Sequence, residues 1–176
     1  MKISLIVGHT EQSQGASNLN GMTEFIYNDE QCRLAAEKLI EAGHTVNIVY
    51  RGTYSQLPHK VNLLKPDLAV SFHCNAFNKR TSGSEVLHWY NSVKGKAFAQ
   101  ILQRETLKSI GLLNRGLKPL RNSDRGGLLL RFTKMPCVIW EPFFIDKDSD
   151  LEAGLKHRHD LIDGLVRAVN EYETIM

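Results

Sequence analysis

The sequence has few cysteines and no long apolar segment. Its 176 residues include only Cys32, Cys74 and Cys137, and this odd number without paired spacing argues against a disulfide framework. We therefore expect a protein made in a reducing compartment. No stretch approaches the ~20 apolar residues of a membrane span, so no membrane insertion is expected. The apolar run after Lys2 is too short for a secretory signal and lacks a small-residue cleavage site, which predicts synthesis in the cytoplasm without a signal peptide.

The sequence also lacks a block of lysine and arginine with interleaved aromatic residues, so we expect no nucleic-acid partner. The formal net charge is +3, a mildly basic balance that suits an anionic partner such as a cell wall or a nucleic acid. With 42% hydrophobic and 23% charged residues, the composition is that of an ordinary soluble globular protein. No repeat or shift in composition marks a linker, so we expect a single domain over residues 1–176.

Apolar runs with strand-like and helix-like spacing alternate along the chain. Strands are predicted over residues 2–7, 44–50, 68–72, 85–90, 128–132 and 136–144. Helices are predicted over residues 24–42, 54–64, 94–110 and 148–175, with Thr23 capping the first and Gly43 ending it. Residues 11–21 and the basic segment 114–127 are predicted as irregular loops. This alternation predicts an α/β fold with one twisted, mostly parallel sheet and helices on both faces.

Ionisable residues follow three of the apolar strands. His9 and His73 come directly after two of them, Glu141 ends a third, and Glu24 opens the helix after the first. The carboxyl ends of parallel strands meet at one edge, where α/β proteins bind ligands. Two histidines and a carboxylate form an open catalytic zinc site, and a second carboxylate can act as general base. Taken singly, His73 is more often a hydrogen-bonded structural histidine, Glu24 a helix-dipole carboxylate and Glu141 a surface group.

Other metal-dependent hydrolases are disfavoured because the sequence has neither a His-Glu-x-x-His helix nor a His/Cys/Cys deaminase signature. Several motifs occur instead in the order of a known family, namely Gly8-His9, Glu24, residues 71–76 (SFHCNA), residues 83–85 (GSE), residues 114–136 and residues 140–144 (WEPFF). With these motifs the chain resembles the zinc-dependent N-acetylmuramoyl-L-alanine amidases of the amidase-3 family, from about residue 3 to the C-terminal helix. It departs from the family at Thr10, where a glycine is usual, and at Pro142, where a small apolar residue or glycine is usual.

The resemblance implies that His9, Glu24 and His73 bind zinc and that Glu141 is the catalytic carboxylate. It also implies hydrolysis of the peptidoglycan amide that joins the lactyl group of N-acetylmuramic acid to L-alanine. Glu141 would take a proton from the attacking water and pass it to the leaving amine. Glu85 is either a partner of the site or an exposed strand carboxylate. Arg51 and Arg115 either meet anionic groups of the substrate or are solvated loop charges.

The expected role is that of a phage endolysin, released through holin-made membrane holes to act on the host cell wall, or of a bacterial autolysin. Two alternatives remain open at this stage. One is a zinc peptidase that cuts within the peptidoglycan stem peptide, since the same site can hydrolyse either amide. The other is a wall-binding module without catalysis, which is disfavoured because all four site residues are present.

Overall fold

The computed structural model describes residues 1–176. Its strands are β1 (Lys2–Val7), β2 (Thr45–Tyr50), β3 (Leu68–Phe72), β4 (Ser84–Trp89), β5 (Asn114–Leu120) and β6 (Cys137–Glu141). Its helices are α1 (Glu24–Glu41), α2 (Leu57–Leu64), α3 (Val93–Ile110), α4 (Gly127–Phe132), α5 (Asp148–Lys156) and α6 (Arg158–Ile175). None of these helices combines the length and the apolar character that crossing a bilayer requires.

The six strands form one sheet in the order β2-β1-β3-β6-β4-β5. All neighbouring pairs run parallel except β4 and β6, which are antiparallel. The larger hydrophobic cluster lies between one sheet face and helices α1, α3 and α6, and a smaller cluster joins the other face to α2 and α4. The predicted α/β fold, with a mostly parallel sheet and helices on both faces, is confirmed.

The central strand and the first helix form as their sequences predict. All five residues of β3 are buried, as expected for a continuous apolar run covered on both faces. Thr23 caps α1, because its side chain accepts a hydrogen bond from the Ile26 amide at 3.3 Å. Gly43 follows the helix with a φ of 90°, a left-handed conformation that favours glycine.

Three predictions about the second half of the chain were wrong. The predicted basic loop contains β5, an edge strand that pairs only with β4, where Gly116 and Pro119 break the usual strand pattern. The predicted strand over 128–132 is helix α4, since a short apolar run fits a strand or a helix equally well. The predicted helix over 148–175 is divided at His157 into α5 and α6, a break hidden by apolar spacing that continues across the junction.

Candidate metal centre

Strands β1, β3 and β6 lie side by side and point in the same direction. Their carboxyl ends deliver His9, His73 and Glu141 to one edge of the sheet. Two backbone hydrogen bonds fix the register there, from the Gly8 amide to the Phe72 carbonyl and from the His73 amide to the Trp140 carbonyl, both at 3.0 Å. All three delivered side chains line a cavity of about 510 Å³, together with Glu24 from α1.

Three of these four predicted site residues converge closely. The metal-binding atoms of His9, Glu24 and His73 all lie within 4.8 Å of one another. Glu24 Oε2 is 3.0 Å from His9 Nε2 and 3.3 Å from His73 Nδ1, and the imidazole centroids are 5.2 Å apart. His9 and Glu24 are buried, whereas the His73 side chain is 22% exposed toward the cavity. The cluster is therefore closed on the protein side and open on the cavity side.

Two glycines make room for the imidazole rings. A Cβ at Gly8 would lie 2.2 Å from the Phe72 carbonyl oxygen and 2.9 Å from the His73 ring. A Cβ at Gly15 would lie 2.7 Å from the His9 ring, and the Gly15 backbone is left-handed, with a φ of 79°. His9 itself adopts a φ of 69°, a rare conformation for a residue with a side chain, and such strain concentrates at functional sites.

The chemistry of the cluster fits a bound metal ion. The buried His9 Nε2 has no hydrogen-bond partner, although Glu24 Oε2 lies only 3.0 Å away. A buried unpaired nitrogen is costly unless it binds a ligand. Burial lowers the pKa of His73, which favours the neutral imidazole that metals require. Two nitrogens and a carboxylate oxygen are the donors of an open zinc site.

The carboxylate of Glu24 is ionised in this environment. Burial opposes its ionisation, but the contacts with His73 and His9 outweigh burial and lower its pKa to about 2. Its Oε1 accepts a hydrogen bond from the Ala16 amide at 3.1 Å, and its Oε2 one from the Cys74 amide at 3.4 Å. The loop before α1 and the chain after β3 therefore hold this carboxylate in position.

Glu141 lies at the same cavity, but its pKa is shifted in the opposite direction from that of Glu24. Burial, followed by the negative charges of Glu85 and Glu24, raises its pKa to about 8. Its carboxyl group is thus mostly protonated near neutral pH in the metal-free protein. A carboxyl group with a pKa close to the working pH can both accept and donate a proton.

Glu85 is buried and lines the cavity, so it is not the exposed strand carboxylate that its sequence context also allowed. It is only 7% exposed and lies opposite Glu141 in the antiparallel pairing of β4 with β6. Asn75 Nδ2 donates to its Oε1 at 2.8 Å, and Arg115 Nε donates to its Oε2 at 2.7 Å. Because β4 runs antiparallel to β6, the beginning of β4 reaches the edge where β6 ends.

The two arginines singled out in the sequence differ in their surroundings. Arg115 is paired with Glu85 and stacks on Phe144, 5.0 Å from the ring centroid. Arg51 lines the cavity beside Tyr54. Sequence reasoning missed Arg125, which lines the same cavity from the turn before α4. Its position in a glycine-rich loop before an apolar run was the only sequence signal.

The chain matches a known enzyme family over most of its length. The sequence model of the amidase-3 family, described as N-acetylmuramoyl-L-alanine amidase, matches residues 3–170. A comparison with curated protein sequences gave no significant match.

Several solved structures share the fold. The catalytic domain of the CD27L endolysin targeting Clostridia difficile has 25% sequence identity and a TM-score of 0.84, with 97% of each chain covered. Cwp6 from Clostridium difficile has 24% identity and a TM-score of 0.86; the match covers 97% of this chain but only 29% of Cwp6. The catalytic domain of CwlV from Bacillus (Paenibacillus) polymyxa has 20% identity and a TM-score of 0.84, with 99% of each chain covered.

Proposed function

This chain belongs to the amidase-3 family of N-acetylmuramoyl-L-alanine amidases, and from that premise we propose that it hydrolyses the amide between N-acetylmuramic acid and L-alanine with zinc as its metal. Amidase activity on peptidoglycan and the degradation of cell wall follow from membership of the family. The family is generally metal-dependent. The identity of the metal, the residues that hold it and the biological setting of the reaction are the proposed parts.

The convergence of His9, Glu24 and His73 carries the proposal. Their three donor atoms lie within 4.8 Å of one another in the lining of a cavity of about 510 Å³. We assign these residues as the zinc ligands, because imidazole nitrogens and a carboxylate oxygen suit zinc in catalytic sites. When bound, zinc supplies a Lewis acid that polarises the scissile carbonyl and lowers the pKa of water.

We assign proton transfer to Glu141. Its carboxyl group faces the same cavity, and its raised pKa of about 8 lies near neutrality. In its ionised form Glu141 accepts the proton of the attacking water. It then donates that proton to the nitrogen of L-alanine as the amide bond breaks, which prevents expulsion of an unstable amide anion. Glu85 holds a negative charge beside Glu141 and is itself fixed by Asn75 and Arg115.

The biological role that we propose is lysis of bacterial cell wall as an endolysin or an autolysin. Similarity to the CD27L endolysin catalytic domain over 97% of both chains supports the endolysin. The net charge of +3 favours contact with an anionic wall. Purified protein added to bacterial cells with an accessible wall should lower their turbidity. Soluble release of wall fragments without zinc in the protein would count against the role of the metal.

The assignment of the ligands is tested by zinc content. Protein stripped with a chelator and reloaded should hold about one zinc per chain. His73→Asn should lose most of this zinc because an amide is a poor ligand. His59→Asn is the matched control, since His59 is an exposed histidine on α2, and it should load like the wild type. Equal zinc content in His73→Asn and the wild type would contradict the assignment.

A further inference from the structure

The cavity is lined by groups of opposite charge. Glu24, Glu85 and Glu141 contribute carboxyl groups to it, whereas Arg51 and Arg125 contribute guanidinium groups. The two arginines belong to the side of the sheet covered by α2 and α4. Arg51 directly follows β2, and Arg125 lies in the turn that leads into α4.

One of the two guanidinium groups lies beside an aromatic ring. Arg51 Cζ is 5.5 Å from the Tyr54 ring centroid. Burial raises the pKa of Tyr54, and the positive charges of Arg51 and Arg125 partly offset this rise. Tyr54 also lines the cavity, beside Leu57 and Leu129 of the second hydrophobic cluster. Arg51 and Arg125 thus line the same cavity as Tyr54.

Neither of these arginines is paired within the protein; Arg51 is half-buried and Arg125 is exposed. Arg51 and Arg125 form no ion pair and no side-chain hydrogen bond, whereas Arg115 is paired with Glu85 at 2.7 Å. Two cationic groups at one cavity that form no ion pair leave their N–H donors available to a ligand. A ligand that brings a negative charge to this wall gains charge-assisted hydrogen bonds from the guanidinium groups.

We propose that Arg51 and Arg125 form an anion subsite that binds a free carboxylate of the stem peptide, on the residue that follows L-alanine. The inference rests on the proposed function, because it places the scissile amide beside His9, Glu24 and His73, the proposed zinc ligands. The sugars near that bond are uncharged, and the lactyl carboxyl group is consumed in the amide itself. The nearest anion of the substrate is therefore the α-carboxylate of the second stem residue when that residue is D-glutamate.

The charges of the cavity also fix the direction in which the stem lies. Glu85 repels a substrate carboxylate, as does Glu141 in its ionised form, whereas the arginine wall attracts it. An anion held at Arg51 and Arg125 therefore points the stem toward α2 and α4 and away from β4. The subsite makes the enzyme selective for D-glutamate over D-isoglutamine, in which the same carboxyl group is an uncharged amide.

Two soluble muropeptides that differ only at this group provide the test. One carries D-glutamate and the other D-isoglutamine at the second position, and both keep the same C-terminal carboxylate. We expect the wild-type protein to show a kcat/KM roughly tenfold higher on the D-glutamate form, the lower end for hydrogen bonds to charged groups. Arg51→Gln and Arg125→Gln should each bring this ratio close to one, and Arg125→Lys should keep part of the preference.

Arg121→Gln is the matched control. It removes the same charge from the same turn, but Arg121 stacks on Tyr90, 4.5 Å from the ring centroid, and does not line the cavity. Its ratio should equal that of the wild type. Direct binding of the tripeptide L-alanyl-γ-D-glutamyl-L-lysine, in which the γ-carboxyl group of glutamate is taken up in an amide, should weaken in Arg125→Gln and not in Arg121→Gln when measured by calorimetry, whether or not the protein is loaded with zinc.

The possible outcomes distinguish a failure of the subsite proposal from a failure of the proposed function. Cleavage of both muropeptides by the wild type with equal kcat/KM would overturn the subsite and leave the proposed function standing. A preference that survives both glutamine substitutions would also overturn it, and would assign selectivity to other groups. Cleavage of neither muropeptide between the sugar and L-alanine would overturn the proposed function, and the subsite with it.

Discussion

Replacing Glu141 with glutamine tests the electrostatics of the site before any substrate is added. Glutamine keeps the shape of a protonated glutamic acid but cannot ionise. In the metal-free protein, burial and the charges of Glu85 and Glu24 raise the pKa of Glu141 from 4.5 to about 8. The unfolded chain exposes the same carboxyl group to water, where its pKa returns to its ordinary value.

Between these two pKa values the folded protein holds one proton more than the unfolded chain. Its free energy of unfolding therefore falls as the pH rises, and the contribution that is complete below about pH 4.5 is lost as the pH passes through about 8. One group gives a slope of at most ~1.4 kcal/mol per pH unit. Between about pH 5 and about pH 8 this group can therefore lower the free energy of unfolding by at most roughly 4 kcal/mol, which is the ceiling on its effect. The Glu141→Gln variant has no ionisable group at this position, so its stability does not change with pH in this way.

Urea unfolding of the chelator-treated wild type and variant at both pH values measures this difference. The wild type should lose stability relative to Glu141→Gln as the pH rises, by an amount below that ceiling. Parallel profiles for the two proteins would refute the reasoning, because they would mean that the buried site does not hold the proton. With zinc loaded, the variant should keep its metal and lose at least about 100-fold in lytic activity.

Three further predictions concern the backbone, the neighbouring carboxylate and the wall. Gly8→Ala should lower the free energy of unfolding by roughly 1–3 kcal/mol and weaken zinc binding, since the new Cβ would lie 2.2 Å from the Phe72 carbonyl oxygen. Gly52→Ala is the control and should have neither effect, because a Cβ there would have nothing within 4 Å. Thermal melts with and without zinc compare the two variants. Glu85→Gln should move the ionisation of Glu141 to lower pH, because it removes a charge that raises that pKa, and the pH dependence of kcat/KM measures the shift. Lysis should fall as salt rises from ~50 to ~200 mM if the positive net charge aids contact with the wall, and a rate that does not change would show that charge plays no part.

The predicted site residues could be found because their strands are covered on both faces. The apolar runs before His9, His73 and Glu141 are continuous and short, which is the pattern of buried parallel strands. Polar residues at the ends of such strands meet at one edge of the sheet. Glu24 followed from the first helix, whose cap at Thr23 fixes where the helix begins. These signals are local and indicated that the four residues could meet at one edge, whereas the roles of the four residues came from the resemblance to the family.

The features that the sequence did not indicate depend on contacts between distant segments. Strand β5 contains Gly116 and Pro119 and forms only because β4 supplies a partner along its edge. The burial of Glu85 depends on the antiparallel direction of β4 beside β6, which no periodicity within β4 reveals. Arg125 reaches the cavity because the turn before α4 folds over that face of the sheet, and a charged residue in a loop carries no local mark of such a position.

The most direct test of the proposed reaction is a digest of purified peptidoglycan, with and without a chelator, analysed by mass spectrometry. The proposal predicts stem peptides that begin with a free L-alanine amine, absent when the chelator is present and restored by added zinc. Fragments cut within the stem would contradict the assigned bond. Cleavage that persists fully in the chelator would contradict the metal centre at His9, Glu24 and His73.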